Sequence, residues 1–182
     1  VNNSLFYIHE HQKNKKEILL RNAIIKDNEK SVVVLVIGES ARRQNFSLYG
    51  YKRNTNPLLS QTQNLFHFDA TSCATYTTAG VKCILEHAHT DDLYEILPNY
   101  LYRNNVEVIW RTTNWGEPPV HIQNYQNKDA LMLNRKGDGC NYDEILLSVL
   151  EEQILASKKN KILIVLHTST SHGPTYSKKY PP

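Results

Sequence analysis

The feature that most constrains the fold is an unbroken apolar run at residues 32–37, which Gly38 follows directly. Five of its six residues are β-branched, which favours a strand over a helix. A membrane span needs roughly 20 apolar residues, so this run is too short to cross a bilayer. Apolar side chains at every position predict a strand that is buried on both faces.

Further apolar segments alternate with helical patterns along the chain. Three more strands are predicted, at residues 65–68, 106–110 and 162–166. Helical spacing of apolar residues predicts helices over residues 92–101 and 142–156, and Pro98 either kinks the first or divides it into two. Alternating strands and helices predict an α/β fold, with a mainly parallel sheet flanked by helices on both sides. Such sheets bind ligands beyond the carboxyl ends of their strands.

The charge and the ends of the sequence suggest how the chain is organised. A net charge of +3 over 182 residues, without a basic stripe, argues against a nucleic-acid-binding protein.

Residues 1–31 are polar and are interpreted as a lead-in or linker, whereas residues 32–182 form the folded domain. The sequence starts at Val1 and stops at Pro182, so we expect it to be a piece of a longer protein.

Polar residues with chemical potential follow the first two predicted strands. Glu39 is placed to act as a metal ligand or general base, or simply as an acid at a helix N-terminus. The second strand leads into a segment rich in hydroxyl groups that contains Thr75, Thr77 and Thr78. One of these could be a nucleophile if a base or metal ionised it, or they could cap the next helix. Spacing alone does not choose among the three.

The third and fourth predicted strands are also followed by polar residues. Arg111 and Asn114 come after the third strand, and His167 and His172 come after the fourth. The polar groups at the four strand ends together predict an oxyanion-binding site with metal assistance. Phosphate or sulfate ester chemistry is favoured over acyl transfer, since the chain has no Gly-x-Ser-x-Gly motif.

The cysteines leave two interpretations open. Cys73 and Cys83 could close a short loop as a disulfide, or both could be buried free thiols. Cys140 is either free or paired with a cysteine outside this chain.

Four ordered motifs resemble those of the phosphoethanolamine transferases that modify lipid A, a family that includes the colistin-resistance enzymes. The first is the segment 34–42 with its continuation to Pro57, and the second is the cysteine-bounded loop 72–83. Residues 110–114 resemble a third motif, and residues 166–176 a fourth. The resemblance implies an alkaline-phosphatase-like periplasmic catalytic domain, of which residues 32–182 are the N-terminal part. It also implies a location at the periplasmic face of the bacterial inner membrane.

The resemblance implies a role for each matching residue. Glu39 and Thr77 match a zinc ligand and the metal-bound nucleophile. His172 matches a catalytic histidine near the substrate phosphate, and Thr75 and Asn114 match positions at the substrate. Cys73 and Cys83 match a family disulfide. The implied reaction transfers phosphoethanolamine from phosphatidylethanolamine to lipid A, or to another envelope glycan or protein, through a phospho-threonine intermediate with Zn²⁺.

Two departures and two alternatives accompany this resemblance. Ala74 and Lys82 stand where the family has Gly and Pro, and the Asp-His-Gly motif that supplies further metal ligands is absent from the sequence. One alternative is a hydrolase of the same fold, a phosphodiesterase or sulfatase. The other is a non-catalytic domain that binds head groups or glycans.

Overall fold

The computed structural model describes residues 15–88, 90–135, 142–169, 171–174 and 178. Its centre is one sheet of four parallel strands in the order β1-β4-β2-β3. The strands are β1 Ser31–Ile37, β2 Glu107–Thr112, β3 Asn124–Gln126 and β4 Lys161–His167. This arrangement confirms the predicted α/β class and the two strands predicted around residues 106–110 and 162–166.

Helices cover both faces of the sheet. They are α1 Thr77–Leu85, α2 Leu97–Arg103, α3 Lys128–Leu133 and α4 Leu150–Ala156, with short 3₁₀ helices at Arg43–Asn45, Ser47–Tyr49, Leu59–Gln61 and Asp143–Leu147. On one face, Val81 and Leu85 of α1 belong to one buried cluster with Trp110. On the other face, Leu131 of α3 and Leu150 of α4 belong to a second buried cluster. Successive residues of β2 and β4 point to opposite faces and so supply both clusters.

The strand register brings three strand ends together. Ile37 at the end of β1 is aligned with His167 of β4, which is aligned in turn with Thr112 of β2. The segments that leave these strands therefore start from the same edge of the sheet, as expected for parallel strands.

Two predictions about strands were wrong. The first strand is not buried on both faces: β1 lies at the end of the sheet, and no described segment covers Val33 and Val36, which are 58% and 59% exposed. Residues 65–68 form no strand: Phe66 and Phe68 are exposed, and the segment is held by a hydrogen bond from the Tyr49 hydroxyl to Phe68 O at 3.0 Å.

The two predicted helices are shorter than the sequence pattern indicates. Only Leu97–Arg103 is helical in the first, and Pro98 lies in its first turn, where a missing N–H costs nothing. The second is broken at Val149, whose φ of +52° separates a 3₁₀ helix from α4.

The described part of the lead-in, residues 15–30, forms no helix or strand and is attached to α2 and the residues just before it. Ile18 forms an isolated bridge with Tyr94, and Leu20 N donates to Glu95 Oε1 at 2.6 Å. Arg103 of α2 binds the same carboxylate at 2.5 Å and also donates to Leu20 O. Within the described residues, no helix is both long enough and apolar enough to cross a membrane.

Candidate active site

The site is centred on Glu39, two residues beyond the end of β1. Its side chain is buried, with 7% of the residue exposed, although β1 itself is largely open. Ser40 adopts φ +49° and donates its hydroxyl to Glu39 Oε1 at 2.6 Å. A serine in the left-handed region is strained, and such strain is concentrated at functional sites.

Thr77 meets the same carboxylate from the other side of the site. It is the first residue of α1, and its hydroxyl donates to Glu39 Oε2 at 3.0 Å. The alternative that the threonines cap this helix is wrong, because the N-cap position belongs to Tyr76 and no side chain caps it. The free N–H groups of the first turn of α1 remain suited to an anion close to Thr77.

Asn114 completes the contacts of Glu39. Its Nδ2 donates to Glu39 Oε2 at 2.8 Å and to Thr168 O at 2.8 Å. Its Oδ1 accepts a hydrogen bond from Trp115 N at 2.7 Å. Both amide hydrogens are thus used within the protein, and Asn114 positions the carboxylate. Its implied contact with substrate stays a prediction.

These contacts keep Glu39 ionised. Burial raises the pKa of Glu39, but hydrogen bonds from Ser40, Asn114 and Thr77 and an electrostatic interaction with His172 lower it, and the pKa lies below its usual value. A carboxylate that stays ionised in a buried site supplies a fixed negative charge that suits a metal ion.

His172 and Thr75 lie at the border of this centre. His172 Nδ1 lies 3.1 Å from Gly173 O, and its ring centre is 5.0 Å from that of Trp115. Thr75 is exposed and lines a cavity of about 370 Å³ together with Glu39 and Thr77. The structure therefore gathers the predicted residues at one place, while the roles of His172 and Thr75 stay predictions.

A disulfide links the two ends of the threonine-rich loop. Cys73 and Cys83 are paired, with their Cα atoms 6.5 Å apart. Cys83 lies on α1 and Cys73 lies four residues before Thr77, so the link anchors the loop to the helix that carries Thr77. Cys140 lies outside the described residues.

Arg111 and His167 do not reach the centre as predicted from their strand ends. Arg111 is fully buried on the opposite face of the sheet, where its Nη1 donates to Leu146 O at 2.8 Å and Ser148 O at 2.6 Å. His167 is the last residue of β4, is fully buried, and its Nδ1 lies 3.0 Å from Glu117 Oε1. Both residues end up inside the protein because they belong to strands covered on both faces.

The donor atoms present suit a metal ion in part. Thr77 Oγ1 and Glu39 Oε2 lie 3.0 Å apart and are oxygen donors. Zn²⁺ accepts oxygen ligands as well as nitrogen and sulfur. In the described part of the chain no group of three or more His, Cys, Asp or Glu side chains could hold a metal. The two oxygens therefore fit part of a tetrahedral zinc site.

Sequence reasoning missed Ser40 and Gly116 at the site and Glu117 in the fold beside it. Ser40 carries no signal apart from its place after Glu39. Gly116 has φ +89° and lies so close to α1 that an added Cβ would be 3.0 Å from Thr78 Oγ1. Glu117 forms the buried pair with His167. Only the tertiary fold brings the segment 115–117 against α1 and β4.

Comparison with known proteins gives consistent matches. The sequence model of the sulfatase family matches residues 31–182. Phosphoethanolamine transferase EptA of Helicobacter pylori is 42% identical over 158 residues, which cover 83% of this chain and 30% of the relative.

Two solved structures resemble the fold. The integral membrane lipooligosaccharide phosphoethanolamine transferase A of Neisseria meningitidis matches with a TM-score of 0.75 and 28% identity, over 98% of this chain and 36% of that one. The soluble domain of the same enzyme matches with a TM-score of 0.68 and 29% identity, over 88% of this chain and 51% of that one. The chain thus spans about a third of the curated relative and of the integral membrane protein.

Proposed function

The chain belongs to the sulfatase family, and we propose that it forms the nucleophile-bearing part of a phosphoethanolamine transferase. The donor is phosphatidylethanolamine, and the acceptor is lipid A or another envelope glycan or protein. The protein acts at the periplasmic face of the inner membrane. Its relatives include transferases of phosphoethanolamine, and one of them is an integral membrane protein that acts on lipooligosaccharide.

The observation that carries the proposal is the hydrogen bond from Thr77 to Glu39. Because the Thr77 hydroxyl donates to Glu39 Oε2 at 3.0 Å, the lone pairs of its oxygen are free to attack phosphorus. A bond forms between Thr77 Oγ1 and phosphorus, and the bond from phosphorus to the diacylglycerol oxygen breaks. The proton that Thr77 gives up is balanced by the one that the diacylglycerol oxygen gains.

The surroundings of Thr77 suit the charge that develops on the phosphoryl oxygens. Free N–H groups in the first turn of α1 point toward the anion, and they need no reorganisation during the reaction. Ser40 and Asn114 hold Glu39 from two further directions, so the carboxylate stays in place while the phosphoryl group enters and leaves.

Glu39 and Thr77 are the residues that would hold zinc. A zinc ion bound there would lower the pKa of the Thr77 hydroxyl and offset negative charge on the phosphate. This assignment is tested by the zinc content of the full-length protein, which should fall in Glu39→Gln and stay unchanged in Glu144→Gln.

The second half of the reaction returns Thr77 to its free form. An acceptor hydroxyl or phosphate oxygen attacks the phospho-threonine, and the bond from phosphorus to Thr77 Oγ1 breaks. The acceptor loses a proton and Thr77 regains one. His172, which interacts electrostatically with Glu39, assists this proton transfer or binds the phosphate. Such double displacement gives ping-pong kinetics.

Substitution of the threonines tests the proposal. In the full-length protein, Thr77→Ala should abolish diacylglycerol release from phosphatidylethanolamine, whereas Thr78→Ala, a change of the same size one residue away, should retain most of it. Full activity of Thr77→Ala would overturn the proposed nucleophile. Diacylglycerol release with water as the only acceptor would replace the transferase by a hydrolase of the same fold.

A further inference from the structure

A cluster of cations lies beside the active site and takes no part in the chemistry described so far. Arg42, Arg43, Lys52 and Arg53, called here the cation cluster, line an open cavity of about 990 Å³. Arg43 is paired with Asp69 at 3.2 Å and lies over the ring of Tyr49.

Among the described residues, the other three cations lack such compensation. In the part of the chain that the structure describes, no carboxylate lies within ion-pair distance of Arg42, Lys52 or Arg53. Like charges gathered around one concavity repel each other and attract anions.

The cluster is connected to the active site through adjoining cavities. Arg42 also lines a second cavity of about 880 Å³, together with Ser40 and Thr75. Ser40 and Thr75 in turn line the cavity of about 370 Å³ that contains Glu39 and Thr77. An extended ligand could therefore reach from Thr77 to the cation cluster.

The loop that carries Lys52 and Arg53 is held in place by hydrogen bonds within the fold. The Thr55 hydroxyl donates to Asn45 O at 2.7 Å and accepts from Ser47 N at 2.9 Å. Asn56 N donates to Ser47 Oγ at 3.1 Å. The two cations thus project from a braced loop, which reduces the entropy lost when they bind an anion.

We propose that the cation cluster binds a phosphate group of the acceptor substrate, a phosphorylated glycolipid. This proposal rests on the proposed function, because the donor phosphate must lie at Thr77 to react. A separate cluster outside that position suits a second phosphate, and the arginine fork matches phosphate oxygens bidentately.

The test compares two acceptors in the full-length protein: lipid A with both phosphates, and its monophosphoryl form. Lys52→Gln/Arg53→Gln should raise KM for the bisphosphorylated acceptor about tenfold and leave KM for the monophosphoryl form within about twofold. Diacylglycerol release in the absence of acceptor should not change. Lys26→Gln/Lys30→Gln removes the same charge near the opposite end of β1 and should match the wild type.

Each other outcome has a definite meaning. If the double variant has the same KM as the wild type for the bisphosphorylated acceptor and for the monophosphoryl acceptor, the subsite is overturned. Binding to phosphatidylglycerol vesicles shows whether the cation cluster binds the phosphates of the membrane surface instead of the acceptor phosphate. If the variant loses affinity for these vesicles and for lipid A equally, the acceptor subsite is overturned. Failure of the wild type to release diacylglycerol would overturn the proposed function instead. Equilibrium binding of the two lipid A forms would then still decide the subsite.

Discussion

Thr77 and Glu39 are 38 residues apart in the sequence, yet the Thr77 hydroxyl donates to Glu39 Oε2 at 3.0 Å. Glu39 follows strand β1 and Thr77 opens α1, and the two segments meet because Val81 and Leu85 of α1 share a buried cluster with Ile37 of β1. Asn114, which lies in the segment after β2, donates its Nδ2 to the same oxygen at 2.8 Å. The proposed chemistry depends on this three-residue arrangement.

Asn114→Ala should separate positioning of Glu39 from direct binding of substrate. Because Asn114 donates to Glu39 Oε2, we expect kcat to fall by at least about tenfold with little change in KM for the donor. A rise in KM with kcat unchanged would show instead that Asn114 acts mainly on the substrate. Asn99→Ala is a matched control, since Asn99 is also buried and bonds Pro119 O and His121 N away from the site.

Gly116→Ala should impair activity by pushing against the helix that carries Thr77. Gly116 has φ +89°, and a Cβ there would lie 3.0 Å from Thr78 Oγ1 and 4.0 Å from Thr77 Cβ. Gly50→Ala is the control, because Gly50 has φ +92° but nothing within 4 Å. Both variants should lose about 1 kcal/mol in the free energy of unfolding, measured in urea. Only Gly116→Ala should lose activity, and an equal loss in Gly50→Ala would refute the contact as its cause.

Glu117→Gln should reduce stability at neutral pH but not in acid. Burial raises the pKa of Glu117, yet hydrogen bonds from His167 and Thr112 lower it, and the pKa lies below its usual value. A lowered pKa in the folded state adds stability above the ordinary Glu pKa of about 4.3, and that stability is lost as the pH falls through the folded pKa. Unfolding in urea should show a cost of about 1–3 kcal/mol at pH 7 that shrinks below about pH 4. A cost independent of pH would contradict the stabilising role of the ionised Glu117 carboxylate.

Removal of the disulfide should loosen the segment that leads to the nucleophile. The bond between Cys73 and Cys83 closes a short loop with a sequence separation of 10. Cys73→Ser/Cys83→Ser should lower the free energy of unfolding by about 2–3 kcal/mol, together with transfer activity. Reduction of the wild type should reproduce both effects. Unchanged stability in the double variant would show that the bond does not constrain this segment.

The parts of the fold that the sequence predicted well are those where packing and pattern agree. β2 and β4 are covered on both faces, so a continuous apolar run describes their surroundings correctly. The same pattern gave a wrong prediction of burial on both faces for β1. Apolar composition shows that a strand can be buried, but it does not show which segment buries it. β3 was missed since Asn124–Gln126 has no apolar signal and is held by pairing with β2.

The site was predicted in its residue types but not in its contacts. Position after a strand identified Glu39, and the motif resemblance selected Thr77 from three neighbouring threonines. The burial of Arg111 on the opposite face could not be anticipated, because a one-residue change of register moves a side chain across the sheet. The contact of Asn114 with Glu39 spans 75 residues and exists only in the tertiary structure.

The most direct test of the account is to locate the phosphoethanolamine group on the full-length protein after incubation with phosphatidylethanolamine in the absence of acceptor. Peptide mass spectrometry should find the group on Thr77, and addition of acceptor should remove it. A group on Thr75 or Thr78 would contradict the assignment of Thr77. Transfer to acceptor through a protein that never carries the group would contradict the covalent mechanism itself.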